Sequence, residues 1–591
     1  MKLKPIKLVM ALTSATVLAL AGCGGGGGGS SSSGSSPTIN LNGVAATGAP
    51  MANVSIKLTD ALGASKTATT DAAGNYTMDV SGMTAPFVVV ASGMAGDGTE
   101  TLVSVVASQP TAGQTVVANV TPLTNALAAT LDSTGDPLHL AANVATEATN
   151  ITPGALATAT TNLQTALAPL LTQVGASTTT NFISGVLTAN GTGLDKLLDS
   201  VQIAVAPGGT ANGGITVAIK DGNGTVTTSA LSLATTPAAL PTLTVVADYS
   251  VVNTAQAGLT ACFAVTPGSN RPTASECTSL VTADYLNDGK TAAQEFGQFT
   301  AAAFDSATAE RPEIIRFIDA THAVVKLVLD LTNGQHYALT TVAENSALTG
   351  NTWKLRGNQR NYFTFVNGVA ERRNELNAAA TLPSGYTAGL NLYFDATAGN
   401  AATLFGNANS YVKVTGPGIP VAGVILKPSL GTCAYLTITS ETGNTAAAQK
   451  NTCSSYFRLT GVAQNAANAA TFDTAFTAGQ PNHNQNYRVG KVSDATLLGI
   501  HPFDAYTFTI HDGAAGTDSS ITEWLRARPL TTAELPYVRW NALSAGTLAS
   551  LDPNNAAAFT GGASMPVSWT PQPLTAPVTV VNAQVRSGGV L

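Results

Sequence analysis

Charged residues are scarce in this chain: Asp, Glu, Lys and Arg make up 10% of its 591 residues, against about 25% in a typical soluble domain. Aromatic residues are also few, at 6%. The formal net charge is −7, from 34 acidic and 27 basic residues. Because binding to nucleic acid depends on an excess of Lys and Arg, the composition argues against a nucleic-acid partner.

The chain also lacks the short motifs that mark common catalytic and cofactor sites. It contains no Gly-x-Ser-x-Gly, His-Glu-x-x-His, P-loop or dinucleotide-binding pattern. His483, His501 and His511, with Asp504 and Asp512 nearby, have spacings that match no metal-binding pattern. The sequence therefore predicts no cofactor, no metal site and no catalytic residue, and it favours a protein that is not an enzyme.

Small, β-branched and glycine residues fill the composition instead. Hydrophobic residues account for 44% of the chain, and there are 57 glycines. Such a composition favours β-sheets joined by short turns. Because the chain is too long for a single core, we expect a multidomain, mainly β protein.

Residues 1–22 have the three parts of a secretory signal. Three lysines lie within the first seven positions, and an apolar stretch follows from Leu8 to Leu20. This stretch is shorter than the roughly 20 apolar residues of a permanent membrane helix. It ends in Leu20-Ala21-Gly22-Cys23.

This tetrapeptide resembles the lipobox of bacterial lipoproteins. The resemblance implies cleavage before Cys23, a diacylglycerol thioether on its sulfur and acylation of the new amino terminus. In that family an Asp after the cysteine favours the inner membrane, so Gly24 implies the outer membrane. Residues 23–37 continue as a Gly/Ser run with the composition of a flexible tether. We therefore expect the protein to bind the membrane through its lipid. Both the periplasmic face and the outer surface of the outer membrane remain open as the side on which the folded body lies.

Four cysteines remain after the anchor: Cys262, Cys277, Cys433 and Cys453. An even number outside the cytoplasm favours disulfides, and three connectivities are open. We favour Cys262–Cys277 with Cys433–Cys453, because each pair falls within one predicted domain. The alternative is a metal site or a reactive thiol, although no Cys-x-x-Cys occurs.

Residues 38–117 alternate strand-like runs with turn clusters, as a small β-sandwich does. Within Thr70-Asp71-Ala72-Ala73-Gly74-Asn75-Tyr76, the turn needs Gly74 for positive φ, and Tyr76 begins a strand and buries its ring. Together with Gly48-Ala49-Pro50 and Ala52-Asn53-Val54, this segment resembles the carboxypeptidase regulatory-like, transthyretin-like β-sandwich. The resemblance implies a spacer or binding scaffold without peptidase activity.

Residues 118–239 are predicted to be helical, with a three-strand meander at the end. Thr121-Pro122 and Thr152-Pro153 each place a capping residue before a proline at the first helical position. Leucines at helical spacing follow both, and Pro169 should kink or break the second helix.

Residues 240–345 have the pattern of an α+β domain. Helices are expected near Ala255–Ala264 and over Thr291–Phe304, before a sheet with a hairpin turn at Thr332–Gly334. This element order is similar to that of the cone-shaped nuclear-transport-factor-like fold. The similarity implies a pocket, and an envelope enzyme is therefore an alternative function.

Residues 346–591 have strand composition throughout and fit one or two sandwiches. Basic and aromatic residues cluster near the start of this region, where they could hold an anionic glycan or another polyanion. The alternative is a solvated face, with charges on one side of the strands and rings in the core. The same alternative applies to Trp524, Arg526 and Arg528. The candidate ligand-binding residues are Trp353, Lys354, Arg356, Arg360, Tyr362, Arg372 and Arg373.

The sequence therefore predicts an outer-membrane lipoprotein that binds or scaffolds at the cell envelope, with a glycan or a protein as ligand. Modules on a tether can present a binding surface without catalytic chemistry. The alternatives are an envelope enzyme with its pocket in residues 240–345 and a spacer that binds nothing.

Overall fold

The computed structural model describes residues 38–95, 98–206, 214–221, 227–245, 248–376, 384–395, 403–407, 409–428, 436–439, 456–471, 487–488, 492–552, 554–555, 558 and 565–570. The predicted signal segment and tether, Cys433, Cys453 and His483 lie outside these residues. Among the helices of the described ranges, none is both long and apolar enough to cross a bilayer.

The fold is multidomain and mainly β, as the composition predicts. In the described ranges the buried apolar side chains form three clusters. The first core runs from Leu41 to Leu243, the second from Val251 to Leu355, and the third from Val366 to Leu525. The predicted sandwich of residues 38–117 and the helical region after it share the first core.

Two sheets form the amino-terminal part of the first core. One has the order β4-β1-β7, with β1 antiparallel to β4 and parallel to β7, and the other is the antiparallel sheet β3-β2-β5-β6. Their inner side chains share the core in the manner of a β-sandwich. The strands are β1 Asn40–Val44, β2 Ser55–Thr59, β3 Ser65–Thr69, β4 Asn75–Asp79, β5 Phe87–Ala95, β6 Gly98–Val106 and β7 Thr115–Val117.

The turn before β4 has the predicted chemistry. The Asp71 carboxylate accepts hydrogen bonds from the backbone nitrogens of Ala73 at 2.9 Å and Asn75 at 2.8 Å. Gly74 has φ +78°, and a Cβ there would lie 2.4 Å from the Ala45 carbonyl oxygen, so only glycine fits. Tyr76 is buried and its hydroxyl donates to the Ala118 carbonyl oxygen. The predicted positive φ at Gly74 and the predicted burial of the Tyr76 ring are both confirmed.

Five helices and a meander complete the first core. Thr121 caps the first helix by accepting from the Thr124 nitrogen, and Thr152 caps the fourth by accepting from the Ala155 nitrogen. A break at Pro169 is wrong, because that helix continues to Gln173 and buries leucines on both sides of the proline. The elements are α1 Pro122–Leu131, α2 Pro137–Ala142, α3 Val144–Glu147, α4 Pro153–Gln173, α5 Gly193–Ser200, β8 Val201–Val205, β9 Ile215–Ile219 and β10 Thr228–Leu231, with sheet order β10-β9-β8.

The second core packs short helices against a five-stranded sheet. Strands β13, β15, β16 and β17 are neighbours in that order, and β14 also pairs with β15. The β15–β16 turn contains Gly334 with φ +79°, as predicted. The elements are α6 Ser250–Phe263, α7 Ser275–Thr278, β11 Leu286–Asn287, β12 Lys290–Thr291, α8 Ala292–Gly297, β13 Thr308–Ala309, β14 Glu313–Asp319, β15 His322–Asp330, β16 His336–Glu344 and β17 Lys354–Leu355.

The helix predicted over Thr291–Phe304 is too long. Helix α8 ends at Gly297, and two 3₁₀ turns follow at Gln298–Thr300 and Ala302–Phe304. The buried Arg271 side chain donates hydrogen bonds to the carbonyl oxygens of Phe299 and Phe304. These carbonyls are therefore held by a side chain instead of a continuing helical ladder.

The predicted Cys262–Cys277 disulfide is confirmed. It joins α6 to α7, with the two Cα atoms 4.5 Å apart and 15 residues of separation along the chain. In the chain-entropy model a loop of this size stabilises the fold by about 3 kcal/mol.

The third core lies between two sheets, with the orders β18-β19-β23-β24 and β22-β21-β20-β25-β26. Strand β26 is therefore at the edge of its sheet within the described chain. The elements are β18 Thr364–Arg373, β19 Gly385–Phe394, β20 Tyr411–Thr415, β21 Val424–Pro428, β22 Leu436–Thr439, β23 Tyr456–Ala463, β24 Tyr487–Arg488, α9 Asp494–Leu498, β25 Ala505–Asp512, β26 Thr517–Trp524, β27 Ala542–Leu543, α10 Ala545–Leu551 and β28 Trp569–Thr570.

Candidate functional site

A cleft of about 980 Å³ lies where sheets from all three cores meet. The meander contributes Gln202 and Thr228, and β14 to β16 contribute one wall from the second core. The third core contributes the edge strand β26 and the segment from His501 to Ala505. The volume of the cleft is at the upper end of the roughly 300–1,000 Å³ that is typical of small-molecule binding sites.

A β-bulge places Arg316 in this cleft. The register of β14 against β15 shifts between Ile314 and Arg316, so one extra residue is inserted there. Ile314 and Phe317 remain buried in the second core. A bulge re-aims the side chains beside it, and here Ile315 and Arg316 line the cleft while Ile314 and Phe317 pack inward.

The Arg316 guanidinium lies over an aromatic ring. Its Cζ is 3.6 Å from the centre of the Trp524 ring on β26, which is the geometry of a cation–π contact. Burial lowers the pKa of Arg316 to about 10, and the neighbouring Arg360 adds to this effect while Glu523 opposes it. Among the described residues, Arg316 makes no hydrogen bond and no ion pair.

Two more basic residues reach the same cleft from different elements. Arg360 forms an ion pair with Glu523, and its second nitrogen donates to the Thr522 carbonyl oxygen at 2.9 Å. Lys220, directly after β9, is buried, and burial lowers its pKa, against the opposing effects of Glu313 and Asp199. Basic residues from different cores therefore contribute together to the positive charge of the cleft.

Each acidic side chain of the cleft already accepts hydrogen bonds from neighbours. Glu523 accepts from Arg360 and from the Thr364 hydroxyl. Asp221 accepts from the backbone and hydroxyl of Thr244, and Asp504 accepts from the His501 nitrogen at 2.7 Å. These three carboxylates are thus hydrogen-bonded to neighbouring groups of the protein.

The first three predicted ligand-binding residues contact residues of the second core. Trp353 is buried, and its Nε1 donates to Asp248 at 2.8 Å. Lys354 lies on β17 opposite Glu344, where it is half-buried. Arg356 forms ion pairs with Asp284 at 3.2 Å and Glu344 at 3.1 Å.

The other predicted residues do not form one surface with these. Of the seven, only Arg360 lines the cleft. Tyr362 packs its ring against Phe394, with centroids 5.2 Å apart. On β18, the Arg372 guanidinium lies 6.0 Å from the centre of the Tyr386 ring, and Arg373 pairs with Glu375 at 2.8 Å.

The expectation that the rings here turn to the core holds only for alternate positions. Tyr362 faces the third core, whereas Phe363 is 39% exposed. Phe363 contacts the ring of Tyr393 of β19 edge-on with centroids 5.8 Å apart, and Phe365 stacks on the same ring at 4.8 Å. The reason is the two-residue period of a strand, which sends neighbouring rings to opposite faces.

The second basic and aromatic cluster divides between the cleft and the interior. Trp524 and Arg526 line the cleft, and Arg526 is exposed, with no ion pair to any described residue. Arg528 is buried and forms a two-point ion pair with Glu534.

Two groups of side chains in the described ranges have metal-binding composition. They are Asp132–His139–Glu147 and Glu310–Asp330–His336. In the first, Asp132 lies 2.8 Å from His139, and Ser133 donates to Glu147 at 2.7 Å, so the group is internally bonded. In the second, His336 and Asp330 form an ion pair at 2.7 Å.

His501 and His511, the two histidines considered from sequence that the structure describes, are in neither group. His501 is exposed, with its Nδ1 3.9 Å from Asp504. His511 stacks on Tyr411 and pairs with Asp518 at 2.7 Å.

The interior of the second core contains a cavity of about 20 Å³, lined mainly by aromatic and aliphatic side chains. This space holds at most a single water molecule. This cavity is therefore too small for the substrate expected in a cone-shaped domain.

Sequence reasoning missed Arg316 and Lys220. Each is a single basic residue in or next to an apolar strand, and its contacts are with residues distant in the chain, Trp524 for Arg316 and Glu313 for Lys220. A signal was present, because Arg316 interrupts the apolar run Ile314-Ile315-Arg316-Phe317-Ile318. Comparison of the chain with protein-family models, with curated proteins and with solved structures finds no match.

Proposed function

We propose that this protein is a lipid-anchored glycan-binding protein of the bacterial outer membrane, with the three-core cleft as its binding site. The observation that carries the proposal is the composition of the cleft, which combines the rings of Trp524 and Phe503 with hydroxyl and amide side chains. Sugars offer apolar C–H faces that pack on aromatic rings and hydroxyls that exchange hydrogen bonds with such side chains.

The polar side chains are distributed around the cleft. Gln202 and Thr228 come from the meander, Asn358 follows β17, and Ser520 and Thr522 lie on β26. Amides and hydroxyls both donate and accept hydrogen bonds, which suits a ligand covered with hydroxyl groups. A spacer needs no such concave polar surface, so a binding role is favoured over that alternative.

The proposed location rests on the lipobox and on the disulfide. Disulfides persist in oxidising compartments outside the cytoplasm, and the Cys262–Cys277 bond fits such a compartment. A binding role is favoured over an envelope enzyme because the second core encloses only about 20 Å³. The carboxylates of the larger cleft are also engaged by neighbouring groups.

Replacing Trp524 with alanine is expected to weaken glycan binding by about tenfold, because a stacked aromatic ring contributes roughly 1 kcal/mol or more beyond its buried area. Detergent-solubilised full-length protein is first screened on a glycan array, and the dissociation constant of the best glycan is then measured by calorimetry. Trp569→Ala is the matched control, because Trp569 lies on β28 outside the cleft. Equal loss in both variants, or no glycan bound at all, would contradict the proposal.

Replacing Cys23 with serine is expected to move the protein from the membrane fraction to the soluble fraction. Serine has no thiol to receive the lipid, and without acyl chains the remaining chain has little membrane affinity. Cell fractionation with immunoblotting measures the distribution and the length of the processed chain, and Ser30→Ala in the predicted tether is the control. If the Cys23→Ser protein is still processed to its mature length and still fractionates with membranes, the lipid anchor is refuted.

A further inference from the structure

Arg316 is a half-buried cation with no anionic partner among the residues that the structure describes. Its guanidinium lies over Trp524 and makes no ion pair within the described chain. An arginine removed from water is normally paired with a carboxylate, because an unpaired buried charge is unfavourable. The cation–π contact compensates only part of the lost hydration.

The acidic groups of the cleft do not supply the missing partner. Glu523 is the acid whose charge acts on Arg316, and it is held by Arg360 and by the Thr364 hydroxyl. Arg316 and Arg360 repel each other, so a second negative charge beside Glu523 would reduce this repulsion and give each arginine an anionic partner.

Other charges around the cleft increase the positive potential. Arg526 is exposed at the cleft and has no ion pair in the described ranges, and its charge acts on the buried Lys220. This arrangement occurs in a chain whose net charge is −7. A local excess of positive charge in a concave, low-dielectric site attracts anions.

The stacked geometry leaves the donors of Arg316 available. When the flat face of a guanidinium lies on a ring, the N–H groups at its edge still point outward in the guanidinium plane. That planar fork matches the two oxygens of a carboxylate or a phosphate.

We infer that the glycan bound in this cleft carries an anionic group, a carboxylate or a phosphate, and that this group pairs with Arg316. The inference rests on the proposed glycan-binding function and narrows it to acidic saccharides. Trp524 then has two roles: it holds the Arg316 guanidinium in the cleft, and the part of its ring surface that Arg316 leaves uncovered packs against the sugar.

The test compares ligands that differ only in charge. Oligogalacturonate carries one carboxylate per sugar ring, and its methyl ester is a neutral ligand with the same ring. Mannose 6-phosphate against mannose provides the phosphate arm. Full-length protein is titrated with each ligand by calorimetry at low and high NaCl. We expect one charged ligand to bind at least about tenfold more tightly than its neutral partner, with an advantage that declines as salt increases.

Variants assign the effect to Arg316. Arg316→Met is expected to weaken binding of the charged ligand by at least about tenfold and to leave the neutral ligand unchanged. Arg316→Lys retains the charge without the planar fork, so we expect an intermediate loss. Arg372→Met is the matched control, because Arg372 also lies over an aromatic ring but outside the cleft.

The outcomes separate the two proposals. If the array yields only neutral glycans, or if charge and the Arg316 variants make no difference, the anionic inference is overturned while glycan binding stands. If no glycan binds on the array or in solution, the proposed function itself fails. A different acidic glycan from the array is tested against its own neutral ester with the same variants, and the same criteria apply.

Discussion

Replacing Arg311 with alanine should lower the free energy of unfolding by about 3–5 kcal/mol. Arg311 lies between β13 and β14, and its side chain is only 7% exposed. It pairs with Asp199 at 2.8 Å and Asp195 at 3.3 Å, both fully buried on α5, and it donates to the Gly48 carbonyl oxygen. Its loss removes the ion-pair partner of two buried carboxylates.

This ion-pair cluster joins the first core to the second, because α5 and Gly48 belong to the amino-terminal part of the chain. Burial raises the pKa of Asp195 to about 7; Asp199 adds to this effect, and Arg311 opposes it. An acid whose folded pKa is raised above its unfolded value destabilises the fold progressively as the pH rises between the two values. Since Arg311 interacts with the ionised form, the deficit of Arg311→Ala should be largest above pH 7 and shrink on acidification.

Chemical unfolding of the full-length protein, followed by tryptophan fluorescence at several pH values, measures this deficit. Arg526→Ala is the matched control, because that arginine is exposed and unpaired among the described residues, and its loss should change stability by no more than about 0.5 kcal/mol. Adding Asp199→Asn to Arg311→Ala should recover part of the loss. A deficit equal to the control, or one that grows at low pH, would disprove the role given to Arg311.

Replacing Arg271 with alanine should have an effect of similar size, about 3–5 kcal/mol. Arg271 is completely buried and lies 5.1 Å above the Phe263 ring. It pairs with Asp305 at 2.6 Å and donates to the carbonyl oxygens of Phe299 and Phe304. Alanine leaves these carbonyls unsatisfied and opens a cavity, and both changes are destabilising.

Limited proteolysis can locate this change as well as measure it. We expect Arg271→Ala to expose residues 298–305 to cleavage, because Arg271 holds that segment against α6. Arg271→Met restores much of the volume without the donors, so it separates the lost packing from the lost hydrogen bonds. Arg372→Ala is the control on the surface of β18. If Arg271→Ala resists protease and denaturant as well as this control does, the proposed anchoring of the 3₁₀ turns is incorrect.

The parts of the fold that could be predicted from sequence are local. Thr121-Pro122 and Thr152-Pro153 identify helix starts because a cap and a fixed φ act within one turn. The turn at Gly74 could be predicted for the same reason, since its positive φ depends on adjacent residues. The helix over Thr291–Phe304 was overextended because Arg271, some thirty residues earlier, takes its carbonyls.

The candidate site is largely beyond such reasoning. Strand alternation indicates which side chains share a face, but it does not indicate what that face meets. Arg316 and Trp524 come together only because a bulge on β14 and the edge of another sheet face one cleft. Trp353 was assigned to a ligand surface because its neighbours are basic, whereas Asp248 holds it in the second core.

The position of the cleft at the meeting point of three cores links ligand binding to the assembly of the whole folded body. A saccharide that touches β8, β14 and β26 together binds only molecules in which all three cores are folded and docked. By mass action it therefore opposes the separation of any one core from the other two, with a strength set by the ratio of ligand concentration to dissociation constant. Occupied and empty forms should thus differ most in how cooperatively the three cores unfold, and less in the intrinsic stability of each.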